Sequence, residues 1–317
     1  MKSKPECLPC LANQAFRVLS AASDDDWSQR KILGEVFRWL PDVDLNSPPA
    51  ELVAEAIKRA SLSGQDPFAE ARAAVHAAFA PIVREFVHSV QGAEDKLSLS
   101  IVGAAAANVA DALILHPDLN LAAKFEAGLA AGFTHGEPQT LIDLIKQSSN
   151  VVYVLDNAGE VLIDVTLIDM IRSQGASVRA VARAKGLLHD VTVQEAVPAG
   201  LVGVVEVEVP VDEAVSDEQL DALSDSKLEE PPDLFATSPG VLGLTSRPAS
   251  ITLKNVIESA DLVICKGSAN YETFSVNHCP VVHLLRPKCN PVARQFGVRV
   301  GDLVLDVAMP APPPAEG

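Results

Sequence analysis

The run Val151-Val152-Tyr153-Val154-Leu155, followed at once by Asp156-Asn157-Ala158-Gly159-Glu160, constrains the fold of this chain more than any other segment. An unbroken apolar run rich in β-branched residues suits a strand buried on both faces, as in the interior of a parallel sheet. The polar turn with its glycine predicts a tight passage into a helix over Leu162 to Gln174. The same alternation of strand and helix recurs with Ser177 to Ala182, Leu201 to Val207, Leu262 to Lys266 and Val281 to Leu285. It predicts a three-layer α/β fold with a doubly wound, mainly parallel sheet.

Upstream, the apolar period changes to that of a helix. From Cys7 to about Gln147 it runs through Leu11, Ala15, Val18 and Leu19, then Ile32, Val36, Phe37 and Leu40, so this half reads as all helix. Pro41 to Pro49 interrupts it, and Ser47-Pro48-Pro49 opens the next helix. Ala-rich stretches at Ala69 to Ala80 and Ala104 to Ala112 predict closely packed helices. The expected organisation is an α-helical N-terminal domain over 1–147, an α/β metal-binding domain over 148–308 and a disordered Pro-rich tail over 309–317. Asp212 to Pro248 is rich in Asp, Glu, Ser and Pro and reads as a loop, a candidate lid, with at most one short helix near Glu218 to Leu223.

Charge and cysteine usage exclude several function classes. Lys and Arg total 25 against 42 Asp and Glu, a net charge of -17, which argues against a nucleic-acid partner. The apolar runs are far shorter than the roughly 20 residues that span a bilayer. The start, Met1-Lys2-Ser3-Lys4-Pro5-Glu6-Cys7, has no apolar signal segment, so the expected location is the cytoplasm, without a membrane partner. Five cysteines do not make a disulfide framework and fit a reducing compartment. Cys7 and Cys10 have metal-ligand spacing for zinc or iron, with Cys289 or Cys279 as a candidate further ligand, although a structural zinc site usually needs four ligands.

In an open α/β sheet, ligands bind beyond the carboxyl ends of the strands. Asp156 and Asn157 offer a carboxylate and an amide oxygen there, hard ligands for a divalent cation. Asp190, in the segment that follows Arg183 after the next strand, can reach the same crevice, and Arg183 is a candidate substrate contact there. Lys266 ends the fourth predicted strand and Lys288 follows the fifth, two point charges for a phosphate in an otherwise acidic protein. Asn108 and Asp111, at i and i+3 of one helix, share a face, which either closes the crevice or crosslinks helices.

Taken in order, Pro5-Glu6-Cys7-Leu8-Pro9-Cys10, Asn108-Val109-Ala110-Asp111, Asp156-Asn157-Ala158-Gly159-Glu160, Asp190-Val191-Thr192, Ala260 to Gly267, Asn270-Tyr271-Glu272 and Lys288-Cys289 make the chain resemble the metal-dependent damage-control phosphatases. This family was formerly catalogued as a domain of unknown function, and the likeness is to its archaeal and bacterial stand-alone branch. The resemblance implies hydrolysis of sugar phosphates or damaged phosphometabolites with Mn, Ni, Co or Mg. It implies metal ligation by Asp156, Asn157 and Asp190, and substrate contacts from Ser268, Asn270, Tyr271, Glu272 and Lys288. Relatives often carry Asn where this chain has His189, and Gln or Asp where it has Ser268. The expected chemistry is attack by water, with Lys266 and Lys288 offsetting charge and Glu160 or Glu272 as base. Two rival readings are a non-catalytic metabolite- or nucleotide-binding module and an S-adenosylmethionine-dependent carboxyl methyltransferase. No G-x-G-x-x-G follows the first strand, which weakens both.

Overall fold

The computed structural model describes residues 1–61, 66–110, 120–201, 204–205, 233–237, 241–244 and 251–310. Its helices are α1 (Cys7–Ala22), α2 (Asp26–Trp39), α3 (Pro49–Ala60), α4 (Ala69–Gly92), α5 (Lys96–Ala107), α6 (Leu121–Ala131), α7 (Pro138–Gln147), α8 (Val161–Ser173), α9 (Val193–Ala196), α10 (Ile251–Glu258), α11 (Gly267–Thr273) and α12 (Asn290–Phe296). Its strands are β1 (Phe133–His135), β2 (Asn150–Val154), β3 (Ser177–Ala182), β4 (Val204–Val205), β5 (Leu234–Ala236), β6 (Leu262–Lys266), β7 (Val281–Leu285) and β8 (Leu303–Ala308).

The strands form one sheet in the order β1-β8-β7-β6-β2-β3-β5-β4. Every pairing is parallel except β7 with β8. From β2 the chain winds outward through β3, then returns to β6 on the other side and continues to β7. The carboxyl ends of β2 and β6 are therefore a topological switch point, the place where such sheets bind ligands.

Strand alternation sorts side chains onto two faces. Val151, Tyr153, Ile264 and Leu284 join a core with α4 to α8, while Val152, Val154, Val263 and Cys265 meet Leu253 and Ile257 of α10. Each such aliphatic side chain, once buried, contributes roughly 1.5–3 kcal/mol. The core shared by the sheet with α4 to α7 crosses residue 147, so apolar contacts run between the two expected domains. The Ala-rich expectation holds in α5, where Ala104 to Ala107 are wholly buried and a Cβ on Gly103 would sit 2.0 Å from the Phe86 ring.

Helices α1 to α3 make a smaller cluster of their own. Leu11, Ala15, Val18 and Leu19 recur at helical spacing on the inner face of α1, and Ala15, Val18 and Leu19 pack with Val36 of α2 and Ala50 and Ile57 of α3. Leu242 and Ala269, which belong to the α/β half, complete that cluster, so the three helices sit as a cap beside the strand ends.

Three strands depart from the sequence reading. β1 lies within the half read as all helix, β5 lies within the stretch read as loop, and β8 was not expected. The first two are only three residues long, too short to show a period. The helix expected near Glu218 to Leu223, most of the candidate lid and residues 311–317 lie outside the described residues. No helix among the described residues is long and apolar enough to cross a membrane. All five cysteines are free thiols.

Candidate active site

The turn after β2 carries Asp156 and Asn157 to the switch point, both nearly without solvent contact. Gly159, at φ +83, makes the turn into α8, and a Cβ there would meet Phe79 and Val75 of α4 at 2.8 Å. Across the turn, Asn157 and Asp190 form an isolated antiparallel bridge, and Val191 N donates to Asp156 O at 2.8 Å. These contacts place the two carboxylates and the amide together, as the sequence predicts. Gly267, the first residue of α11, faces them: at φ +75, a Cβ on it would lie 1.8 Å from Asp156 Oδ2. Only a residue without a side chain lets the β6 end approach so closely.

A buried polar network underlies the site. Asn108 Nδ2 donates to Asp156 Oδ2 at 2.9 Å and to both Glu160 oxygens at 3.1–3.2 Å. Asn157 donates its backbone N–H to Glu160 Oε1 at 3.0 Å and its side-chain amide to Asp156 Oδ2 at 2.6 Å. Lys266 Nζ reaches Asp164 Oδ1 at 2.7 Å and Glu160 at 3.8 Å, with all three side chains wholly buried. Tyr153 Oη also donates to Asp164, at 2.8 Å. Arg183 Nε holds Asp190 Oδ2 at 2.6 Å, while its Nη2 reaches Asn270 Oδ1 at 3.3 Å.

Proton affinities follow from this crowding. Burial, reinforced by Asp156 and Asp164 against Lys266, pushes Glu160 up to about 8. Burial and Asp156, opposed by Arg183 and Lys288, push Asp190 up to about 6. Burial works against the Lys266 ammonium, but Asp164, Glu160 and Asp156 outweigh it and hold its pKa above the ordinary value. His189 is pushed down to about 3 by burial and by Lys288, Arg17 and Arg72. Glu272 is raised to about 7, chiefly by burial.

A cavity of about 320 Å³ opens on this network between the cap and the strand ends. Asp156 and Asp190 reach it from the sheet, and Ser268, Glu272 and Lys288 from α11 and the loop after β7. Cap helix α1 contributes Cys10, Asn13, Gln14 and Arg17, a stripe at i, i+3, i+4 and i+7. His189 also lines the cavity, edge-on to Phe68, beside a loop that Arg72 fastens through Asp66, Glu195 and the Leu188 carbonyl.

Several expected site residues are placed elsewhere. Lys266 does not line the cavity; its ammonium turns inward to Asp164 and Glu160, which corrects its reading as a phosphate-facing cation. Asn270 braces the backbone, donating to Leu155 O and Lys266 O, and Tyr271 packs against His283 and Phe296. Arg183, Glu160 and Asn108 likewise lie beneath the cavity rather than on its wall. Asp111 lies outside the described residues. Sequence reasoning missed Asp164, four residues after Glu160 on the same helix face, although that spacing was visible. It also missed Arg17.

Among the described residues no three His, Cys, Asp or Glu side chains converge in a metal-holding arrangement. The strand-end set therefore consists of two carboxylates and an amide, an all-oxygen donor set whose chemistry fits a hard divalent cation. The mutual repulsion of Asp156 and Asp190 is the kind a cation relieves. Cys7, Cys10 and Cys289 share one wall of the cavity, but the ligands needed for a four-coordinate structural site are not gathered around them.

The family profile described as "Damage-control phosphatase ARMT1-like domain" matches residues 3–304. A protein of Archaeoglobus fulgidus named damage-control phosphatase is 26% identical over 313 residues, covering 97% of this chain and 99% of that one. Another of that name from Pyrococcus horikoshii is 26% identical over 312 residues, covering 96% of this chain and 97% of its own. The crystal structure of a DUF89 family protein from P. horikoshii superimposes with TM-score 0.75 at 24% identity, covering 96% of this chain and 98% of that one, which shows a shared fold.

Proposed function

We infer that this chain, which belongs to the ARMT1-like damage-control phosphatase family, hydrolyses small phosphorylated metabolites with a divalent metal. The observation that carries the reading is the meeting of Asp156, Asn157 and Asp190 at the switch point, beside a cavity that Lys288 also lines. Their oxygens would hold Mn, Ni, Co or Mg, which supplies positive charge against the phosphoryl oxygens and favours ionisation of water.

The chain's own side chains supply the rest. Lys288, on the cavity wall, brings a flexible cation to an anionic substrate. Glu272 faces the same space with a proton affinity near neutrality, so its carboxylate is the group suited to accept a proton from attacking water. Asn108 and Asn157 fix the Asp156 carboxylate from two directions, and Arg183 fixes Asp190, so neither must reorganise when substrate arrives. Lys266 and Tyr153 offset the charge of Asp164 beneath them. The cap helices cover the crevice, limiting access of bulk water.

Release of phosphate from p-nitrophenyl phosphate and a panel of sugar phosphates tests the reading, with EDTA or with added Mn, Ni, Co or Mg, beside Asp156→Ala. Metal-dependent release that the variant abolishes is expected. Release no greater from metal-replete wild type than from the variant, across the panel, would sink it.

A further inference from the structure

Arg17 and Lys288, both on the cavity wall, are not equivalent. Lys288, on the loop after β7, acts electrostatically on Asp190, Glu272 and His189. Arg17 is felt at His189 and at Cys10. It projects from the cap, in the last part of α1, on the stripe that faces the cavity. Among the described residues it has no hydrogen bond or ion pair, whereas the more deeply buried Arg72 and Arg183 are committed to carboxylates. His189, which feels the Arg17 charge, and Ser268 line the same cavity, and His189 Nδ1 and Ser268 Oγ are buried there without hydrogen-bond partners.

What sets Arg17 apart is its place, half-buried on a cavity wall without a carboxylate partner among the described residues. Orphaned polar atoms in the same cavity have the chemistry of a ligand subsite, since buried donors and acceptors are ordinarily satisfied. Apolar Leu11, Ala50, Leu188 and Leu242 line the same cavity, with Asn13 and Gln14 as the polar neighbours of Arg17 on α1. The cavity is also small, about 320 Å³.

We propose that Arg17, with His189 and Ser268, binds a second anionic group, so that the substrates are compact phosphomonoesters carrying a carboxylate or another phosphate. The assignment rests on the phosphatase reading for the phosphoryl end and adds the class of molecule at the other. Arg17 is a specificity residue, and the reacting phosphoryl group lies at Asp156, Asp190 and Lys288.

The test compares two probes of the same backbone, 3-phosphoglycerate and glycerol 3-phosphate, which differ by a carboxylate in place of an alcohol. Wild type is expected to favour the carboxylate in kcat/KM by about tenfold or more, the scale of a charge-assisted hydrogen bond. Arg17→Met is expected to bring that ratio close to one, mainly through KM, and Arg17→Lys to restore part of it. Calorimetric titration of both probes in EDTA gives a readout independent of turnover, with the same preference expected for wild type and lost in Arg17→Met. A ratio that Arg17→Met leaves intact, an equal loss for both probes, or a wild type that binds them equally overturns the subsite. Absence of phosphate release from any ester, with the binding preference present and dependent on Arg17, overturns the phosphatase reading and leaves the subsite standing.

Discussion

Replacing Gly267 with alanine separates two physical effects that usually arrive together. The residue sits at φ +75, a left-handed conformation that costs an L side chain roughly 1–2 kcal/mol. A Cβ there would also stand 1.8 Å from Asp156 Oδ2 and 2.2 Å from its Cγ, so the carboxylate must retreat by more than about 1 Å. Asp156 is held by Asn108 and Asn157 and is buried to 1% exposure, so it cannot swing aside without breaking those bonds. A displacement of that size at a reacting centre costs on the order of 100-fold in rate. Gly297 is the control: its φ is +67, and nothing lies within 4 Å of its added Cβ. Gly297→Ala should lose about 1–2 kcal/mol in urea unfolding and keep its metal-dependent phosphate release. Gly267→Ala should lose at least as much stability and, in addition, about 100-fold or more of kcat/KM. Equal activity in the two variants would refute the claim that close approach of β6 to Asp156 positions the site.

Lys266→Met leaves Glu160 and Asp164 buried without their cation and should destabilise the fold by about 3–5 kcal/mol, read by urea unfolding. If the loss is under about 1 kcal/mol, the network is not held by that ammonium. Glu272, raised to about 7 chiefly by burial, should give kcat/KM a limb that rises with pH through neutrality, and Glu272→Gln should abolish that limb. His283 is held neutral, its pKa lowered to about 4 by burial, so the folded state binds its proton later than the unfolded chain does. Its contribution to stability is complete above the unfolded pKa near 6.5, falls as pH drops towards 4, and amounts to roughly 3 kcal/mol in all. Unfolding at stepped pH should show this fall in wild type and a flatter profile in His283→Gln.

The parts of the fold that were legible are those in which one side chain's environment repeats along the chain. β6 and β7 span the residues expected from their apolar runs, and α1 shows its inner face in the spacing of Leu11, Ala15 and Val18. β1 and β5 are too short for a period, and they take their conformation from pairing with β8 and β3, partners far away in sequence. β8 pairs antiparallel with β7 and ends in half-buried and exposed residues, so its pattern resembles a loop edge. The site divides in the same way. Asp156, Asn157 and Asp190 could be named because strand ends are where open sheets place their chemistry, and the structure gathers them. The direction each cation points could not be named, because Lys266 and Lys288 occupy equivalent places at strand ends. What distinguishes them is three-dimensional: Glu160, the N-cap of α8, and Asp164 in its first turn both reach Lys266, so that lysine is consumed in neutralising buried carboxylates. Lys288 lies on the cavity wall, where its charge is felt by Asp190 and by Glu272 of α11. The acidic floor thus takes up one lysine wholly in its interior, while the second stands on the cavity wall. Arg17 is a third case, a cation carried by cap helix α1 onto the wall of the same cavity without an ion pair among the described residues, and nothing in the spacing of α1 marks it in the sequence.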